Sequence, residues 1–223
     1  MDTILEIKEV NYSYHTKNEQ IEILRDANYS FKTKTLYAII GPSGSGKSTT
    51  LYLLAGLDAP QGGVVIFNNN VLDKKKLLEY RRKNIGIVFQ SFNLFPYMTV
   101  LQNVISAMEI SNTKIKSKKE TAIHLLEKVG ITSEKYYRDI ACLSGGEQQR
   151  VAIARALASD AEIIFADEPT GNLDQKTGAT IIELFQNLAH EEDKCIIVVT
   201  HSPEFAEASD VIVEIKNKQL SSL

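Results

Sequence analysis

The sequence predicts an α/β domain carrying a helical insertion, and three observations predict it. Apolar runs of strand length alternate with helix-like stretches, one such run feeds a glycine-rich loop, and a helical block from Thr99 to Gly130 interrupts the alternation. The alternation resumes at Glu162–Ala166, Cys195–Thr200 and Val211–Ile215. At 223 residues the chain lies within the range of one domain and can bury roughly 70–75% of its extended-chain surface.

A formal net charge of −3 offers no field that would hold DNA or RNA non-specifically, so no nucleic-acid partner is expected. The basic run Lys114 to Lys119 reads as a solvated face, with Ser117 and Glu120 forming a capping box that starts a helix. No basic segment followed by an apolar one opens the chain, and no apolar run nears the ~20 residues that span a bilayer. The expectation is a soluble, cytoplasmic chain in which Cys142 and Cys195, without metal-ligand spacing, are reduced and structural.

Residues 4–10 and 27–32 alternate apolar and polar side chains as half-exposed strands do, which predicts an antiparallel start. Tyr12 and Tyr14, two apart, share a face, and either ring could stack on a purine. The apolar run Leu36 to Ile40 leads into Gly41, Pro42, Ser43, Gly44, Ser45, Gly46, Lys47 and Ser48, and a helix follows from Thr49 to Leu57. Strand, glycine loop and helix make a phosphate cradle: backbone N–H groups turn inward and the helix adds its positive end. Lys47 would reach the β and γ phosphates, and Ser48 would offer an oxygen to Mg²⁺, so the loop predicts a nucleotide with its metal.

A turn at Pro60–Gly63, a strand at Val64–Phe67, a helix at Leu77–Lys83 and a buried strand at Ile85–Phe89 follow, ending in Gln90. The run Phe92 to Met98 is unusually apolar for a loop, and Pro96 keeps it from being regular helix, so it either packs inside or meets a partner. Leu101, Val104, Ile105 and Met108 make one helical stripe, Ala122, Leu125, Leu126 and Val129 another, with Gly130 as the cap.

Ile163–Ala166 is an apolar strand ending in Asp167 and Glu168, at the strand tip where α/β sheets bind ligands. Asp167 suits a metal and Glu168 a water, although a solvated acidic strand end stays open on these residues alone. Ser144, Gly145 and Gly146 precede a helical run over Val151–Ala158, a second helix end suited to an anion.

Two phosphate-binding helix ends exceed the needs of one nucleotide. GPSGSGKST, Gln90, LSGGEQQR, IIFADE, GNLD and His201 follow one another in an order that resembles an ABC-transporter ATPase over nearly the whole chain. GLDAPQGG, RRKNIGIVFQSFNLFP and ADEPTGNLDQKTG are most similar to the branch of macrolide exporters, lipoprotein-release systems and antimicrobial-peptide transporters. The resemblance implies a P-loop NTPase fold, with a RecA-like core and antiparallel β part over about residues 1–90 and 160–223 and a helical subdomain over about 91–159.

It also implies an ATP-driven homodimer facing head to tail. Ser144, Gly145 and Gly146 of one subunit would cap ATP held on Gly41 to Thr49 of the other, with Mg²⁺ on Ser48, Gln90 and Asp167. By the same resemblance Tyr14 rather than Tyr12 stacks on adenine, Glu168 is the base, Asp174 orders the dimer interface and His201 touches the γ-phosphate. A lone His after an apolar strand is otherwise a capping or core residue. A separate transmembrane permease would dock near Phe92–Met98 and hold the subunit on the inner face of the membrane. An importer ATPase, or a cassette acting on a cell-wall or division scaffold, would share every motif.

Four departures stand out against the family's pattern. Lys34-Thr35 replaces a Gly-Glu turn, Lys216-Asn217 an Asp-Gly turn, Ser202 an Asp after the histidine, and Ile140-Ala141 a proline before the signature stretch.

Overall fold

The structure, a computed structural model, describes residues 2–15, 20–112 and 114–223. Two long strands, β1 (Thr3–His15) and β2 (Gln20–Lys32), pair antiparallel. Strand β4 (Gly62–Phe67) pairs with β1, and the short β5 (Asn70–Val71) closes a sheet of order β2-β1-β4-β5. Both long strands run well beyond the predicted residues 4–10 and 27–32. The reason lies in register shifts along the β1–β2 ladder, with Glu9 (φ 50°) and Asp26 (φ 44°) in left-handed backbone. Each bulge inserts a residue and resets the alternation, so a period-two reading stops at it. Residues 16–19, between the two strands, and Thr113, within the predicted helical block, lie outside the described ones.

The second sheet carries the nucleotide-type motifs. Its strands are β3 (Thr35–Ile40), β6 (Ile85–Val88), β7 (Ile163–Asp167), β8 (Cys195–Val199), β9 (Val211–Lys216) and β10 (Gln219–Ser222), in order β10-β9-β3-β8-β7-β6. All neighbours are parallel except β10, which pairs antiparallel with β9 at the edge. Strands β7 and β8 are buried at every position, as continuous apolar runs covered on both faces should be.

Alternate residues divide the core. Leu36, Ile164, Ala166, Ile196 and Val198 face a layer built from α3 (Val100–Ser111), α4 (Lys118–Lys128), α5 (Gly145–Leu157) and α6 (Gln175–His190). Tyr37, Ile39, Phe165, Ile197 and Val199 face α1 (Lys47–Leu54) and the antiparallel sheet. Helices α2 (Leu77–Lys83) and α7 (Pro203–Glu207) complete the chain, α2 with the boundaries predicted for it.

The predicted helical block is two helices. Asn112 (φ 55°) ends α3 in left-handed backbone, Thr99 and Gln102 cap its start reciprocally, and Ser117 caps α4 by accepting from Glu120 N at 3.3 Å. The cap at Ser117 is thus the hydroxyl half of the predicted box. Gly130 (φ 76°) stands one residue past the C-cap Val129. Helix α5 begins at Gly145, not Val151: two glycines are poor helix formers, but the box between Ser144 and Glu147 satisfies the first turn.

Three of the four departures stand in turns or at a cap. Lys34 (φ 57°) and Asn217 (φ 51°) adopt the left-handed backbone a glycine would, and Ser202 caps α7 by accepting from Phe205 N at 3.2 Å. A left-handed non-glycine residue costs about 1–3 kcal/mol, which exceeds what glycine gains in unfolded-chain entropy, about 0.4–1 kcal/mol. The ion pair of Lys34 with Asp193 (2.6 Å) is exposed and adds little. Lys34→Gly should therefore raise the melting temperature by about 2–4 °C; an unchanged or lower value would show that the turn is unstrained.

Candidate functional site

The site gathers at the C-terminal ends of β3, β7 and β8. Between β3 and α1 the phosphate loop turns at Gly46 (φ 91°), where an added Cβ would meet Ile23 Cγ2 at 2.3 Å, so only glycine fits. Lys47 is buried, and its Nζ donates to the carbonyls of Gly41 (3.0 Å) and Pro42 (3.1 Å). Burial lowers its pKa while Glu168 and Asp167 oppose that shift. The ammonium is thus held across the mouth of its own loop by two neutral acceptors, weaker partners than a phosphate oxygen.

Asp167 ends β7 with both carboxylate oxygens engaged: Ser48 Oγ donates to Oδ1 at 2.9 Å and Tyr52 OH to Oδ2 at 2.8 Å. Burial and then the Asp167 carboxylate push the Tyr52 pKa up to about 12, so its hydroxyl keeps its proton at neutral pH. Glu168 follows in left-handed backbone (φ 47°), a conformation that costs a non-glycine residue about 1–3 kcal/mol. Its N–H donates to Val199 O at 2.9 Å, which anchors the strained residue to β8. The side chain accepts from His201 N at 3.1 Å, and His201 Nε2 stands 3.7 Å from the other carboxylate oxygen.

Lys47, Glu168 and His201 line one open cleft of about 500 Å³ together with Tyr14 and Gln90. Ser43, Gly44, Gly46, Ser48 and Thr49 line the same cleft, whereas Gly41 and Pro42 face a neighbouring hollow beside His201. Ser45 Oγ is buried and unpaired among the described residues. The two tyrosines part company: Tyr14 is 41% exposed at the cleft, while Tyr12 is buried and bonds Asp58. The ladder shifts register between Tyr12 and Ser13, with the extra residue, Ile23, in β2. Gln90 is tied by its carbonyl to Asn172 Nδ2 at 3.2 Å.

Ser48 and Asp167, bonded to each other, and the Gln90 side-chain amide would offer hard oxygens with one carboxylate. That suits Mg²⁺, which keeps waters and takes its remaining ligands from phosphates. Among the described residues no cluster of three or more His, Cys, Asp or Glu could hold a metal of another kind.

The signature stretch sits elsewhere. Ser144 caps α5, its N–H donating to Glu147 Oε2 at 2.8 Å, and Lys135 followed by that N–H pulls the Glu147 pKa down to about 2. Ser144 and Gly145 are exposed, and neither they nor Gly146 line the cleft. An added Cβ on Gly146 would meet Thr177 Cγ2 at 2.4 Å, so the starts of α5 and α6 touch. Asp174 caps α6 there, accepting from Thr177 N (3.0 Å) and Oγ1 (2.6 Å), and the hydroxyl holds its carboxyl below the usual range.

Comparison with known proteins identifies the family. The description "ABC transporter" belongs to the family whose pattern matches residues 24–171. The chain belongs to the ABC transporter family. YclH of Bacillus subtilis, named an ABC transporter ATP-binding protein, is 46% identical over 96% of this chain and 93% of its own length. The lipoprotein-releasing system ATP-binding protein LolD 2 of Rhodopirellula baltica is 38% identical, over 94% of this chain and 85% of its own. The dimeric post-hydrolysis structure of the ATP-binding cassette MJ0796 with ADP and Pi superposes with a TM-score of 0.89 at 38% identity, covering 98% of this chain and 97% of that one. This ABC cassette is accordingly an ATP-binding, ATP-hydrolysing subunit of a transporter.

Tyr52 carries no motif of its own in the sequence, though its place four residues after Ser48 on one helix puts the two hydroxyls side by side. The Phe92–Met98 loop is partly packed and partly exposed. Phe92 and Leu94 pack on the core and Tyr97 is 77% exposed, while Phe95 lines an apolar groove with Phe89, Ala107, Ile110 and Arg155. Buried Asn103 staples the loop to α3, donating to Phe95 O at 3.1 Å and accepting from Phe95 N at 2.8 Å.

Proposed function

We propose that two copies of this cassette close head to tail on two ATP molecules, and that closure and opening drive export or extraction of a substrate through a separate transmembrane permease. One observation carries the reading: the cleft is lined by most of the phosphate loop together with Glu168 and His201, but Ser144 and Gly145 are exposed and, like Gly146, lie outside it. A second copy can bring that stretch to the cleft, and the dimeric state of the MJ0796 cassette supports such a pairing.

In this reading Lys47 leaves the Gly41 and Pro42 carbonyls for the β and γ phosphates, and Tyr14 stacks on adenine. Glu168, aimed by the His201 backbone, takes a proton from the attacking water at its carboxylate. His201 and the partner copy's exposed helix end supply donors to the γ-phosphate, and Asp174 orders the contact between copies. Ser48, Asp167 and Gln90 would hold Mg²⁺, which when bound would supply positive charge to the transferring group.

The permease would seat a cytoplasmic helix in the groove lined by Phe89, Phe95 and Ile110, which would place the subunit on the inner face of the membrane with about residues 91–159 as the part that moves. Among the described residues no helix is long and apolar enough to cross a membrane. The lipoprotein-releasing relative favours export or extraction over import.

Phe95→Asp tests the docking face. The variant should bind ATP as the parent does but lose co-purification with a transmembrane subunit from detergent-solubilised membranes. Retained co-purification overturns the docking site, and a sharply lower melting temperature assigns Phe95 to the core instead.

A further inference from the structure

Ser48 and Tyr52 are one turn apart on α1, and both of their hydroxyls end on the same carboxylate. Ser48 Oγ meets Asp167 Oδ1 at 2.9 Å and Tyr52 OH meets Oδ2 at 2.8 Å, so a single helix bonds both oxygens. Asp167 is only 7% exposed, which leaves water little access to compete for either oxygen. The Tyr52 ring is itself packed beside Phe89, with centroids 6.4 Å apart. A carboxylate bonded at one oxygen can still swing about its Cβ–Cγ bond, whereas one bonded at both has its plane fixed.

We propose that Tyr52 is a positioning residue for the metal site, pinning Asp167 Oδ2 and so setting the orientation in which Asp167 and Ser48 together offer oxygen to Mg²⁺. The inference rests on the reading of Asp167 and Ser48 as metal-binding residues. Tyr52 touches neither nucleotide nor metal in this scheme and acts only through Asp167. Outer partners of this kind orient a ligand before the metal arrives, and removing one typically costs 10–100-fold in metal affinity.

A merely structural Tyr52 would serve the contact between α1 and β7, and removing its hydroxyl would leave metal dependence alone. The two roles separate in a binding assay. A fluorescent ATP analogue is titrated in EDTA, and then the Mg²⁺ concentration that half-restores its metal-dependent binding is measured. The proteins compared are the parent, Tyr52→Phe, Tyr52→Leu and Asp167→Asn.

Tyr52→Phe keeps the ring against Phe89 and should keep the EDTA affinity while raising the Mg²⁺ midpoint about tenfold, the lower end of that range. Tyr52→Leu should raise the midpoint equally if the hydroxyl is what matters. A parent-like midpoint for Tyr52→Phe, or an EDTA affinity that falls by the same factor, overturns the proposal. If Asp167→Asn shifts the midpoint and Tyr52→Phe does not, only the role of Tyr52 fails. If Asp167→Asn does not shift it either, the metal reading of Asp167 fails with it.

Discussion

Glu168→Gln should keep ATP binding and lose ATP turnover by about 100-fold or more, because a positioned general base contributes 10²–10⁴ to rate. The amide has the carboxylate's shape, and its carbonyl oxygen can still accept from His201 N, which now bonds Oε2 at 3.1 Å. What it cannot do is take a proton. The strained backbone at Glu168 (φ 47°) strengthens this expectation, since the fold maintains an unfavourable conformation that aims one side chain into the cleft. With hydrolysis blocked, closed dimers should accumulate in Mg²⁺-ATP and appear as doubled mass by size exclusion. Near-normal turnover, measured as phosphate release, would remove Glu168 from the chemistry.

The phosphate loop was legible because its pattern is local: an apolar strand, glycines where the backbone must turn, and a helix that begins at Lys47. The same holds for the carboxylates closing the apolar strand β7 and for α2, whose boundaries follow from its neighbours in sequence. Patterns failed where a tertiary or capping interaction overrode the local one. Bulges at Glu9 and Asp26 hid half of β1 and β2, and the reciprocal bonds of Ser144 and Glu147 started α5 on two glycines that propensity disfavours. The hydrogen bond of Tyr52 to Asp167 spans 115 positions in the chain, a separation no periodicity encodes. Tyr12 and Tyr14 looked equivalent by spacing, and the fold buried one against Asp58 and left the other at the cleft.

Mixed dimers test the proposed head-to-tail arrangement without a structure of the pair. A Lys47→Ala subunit is combined with a Ser144→Arg subunit, both in a Glu168→Gln background so that trapped ATP is the readout. In either homodimer every composite site should carry a defect, because each site needs one phosphate loop and one Ser144 stretch. Removing Lys47 takes away the buried ammonium now held by Gly41 and Pro42. The arginine at 144 ends the capping box with Glu147 and places a bulky cation on the exposed helix end. Neither homodimer should trap ATP well. In the mixed dimer both defects fall in one site, and the other is built from an intact Lys47 and an intact Ser144. About one ATP per mixed dimer should then be trapped, a gain that neither parent can supply. If each chain instead used its own Ser144 stretch, every site in the mixed dimer would keep one defect and mixing would restore nothing. No gain in trapped nucleotide, with mixed dimers demonstrated by two different tags, would reject a site shared between copies.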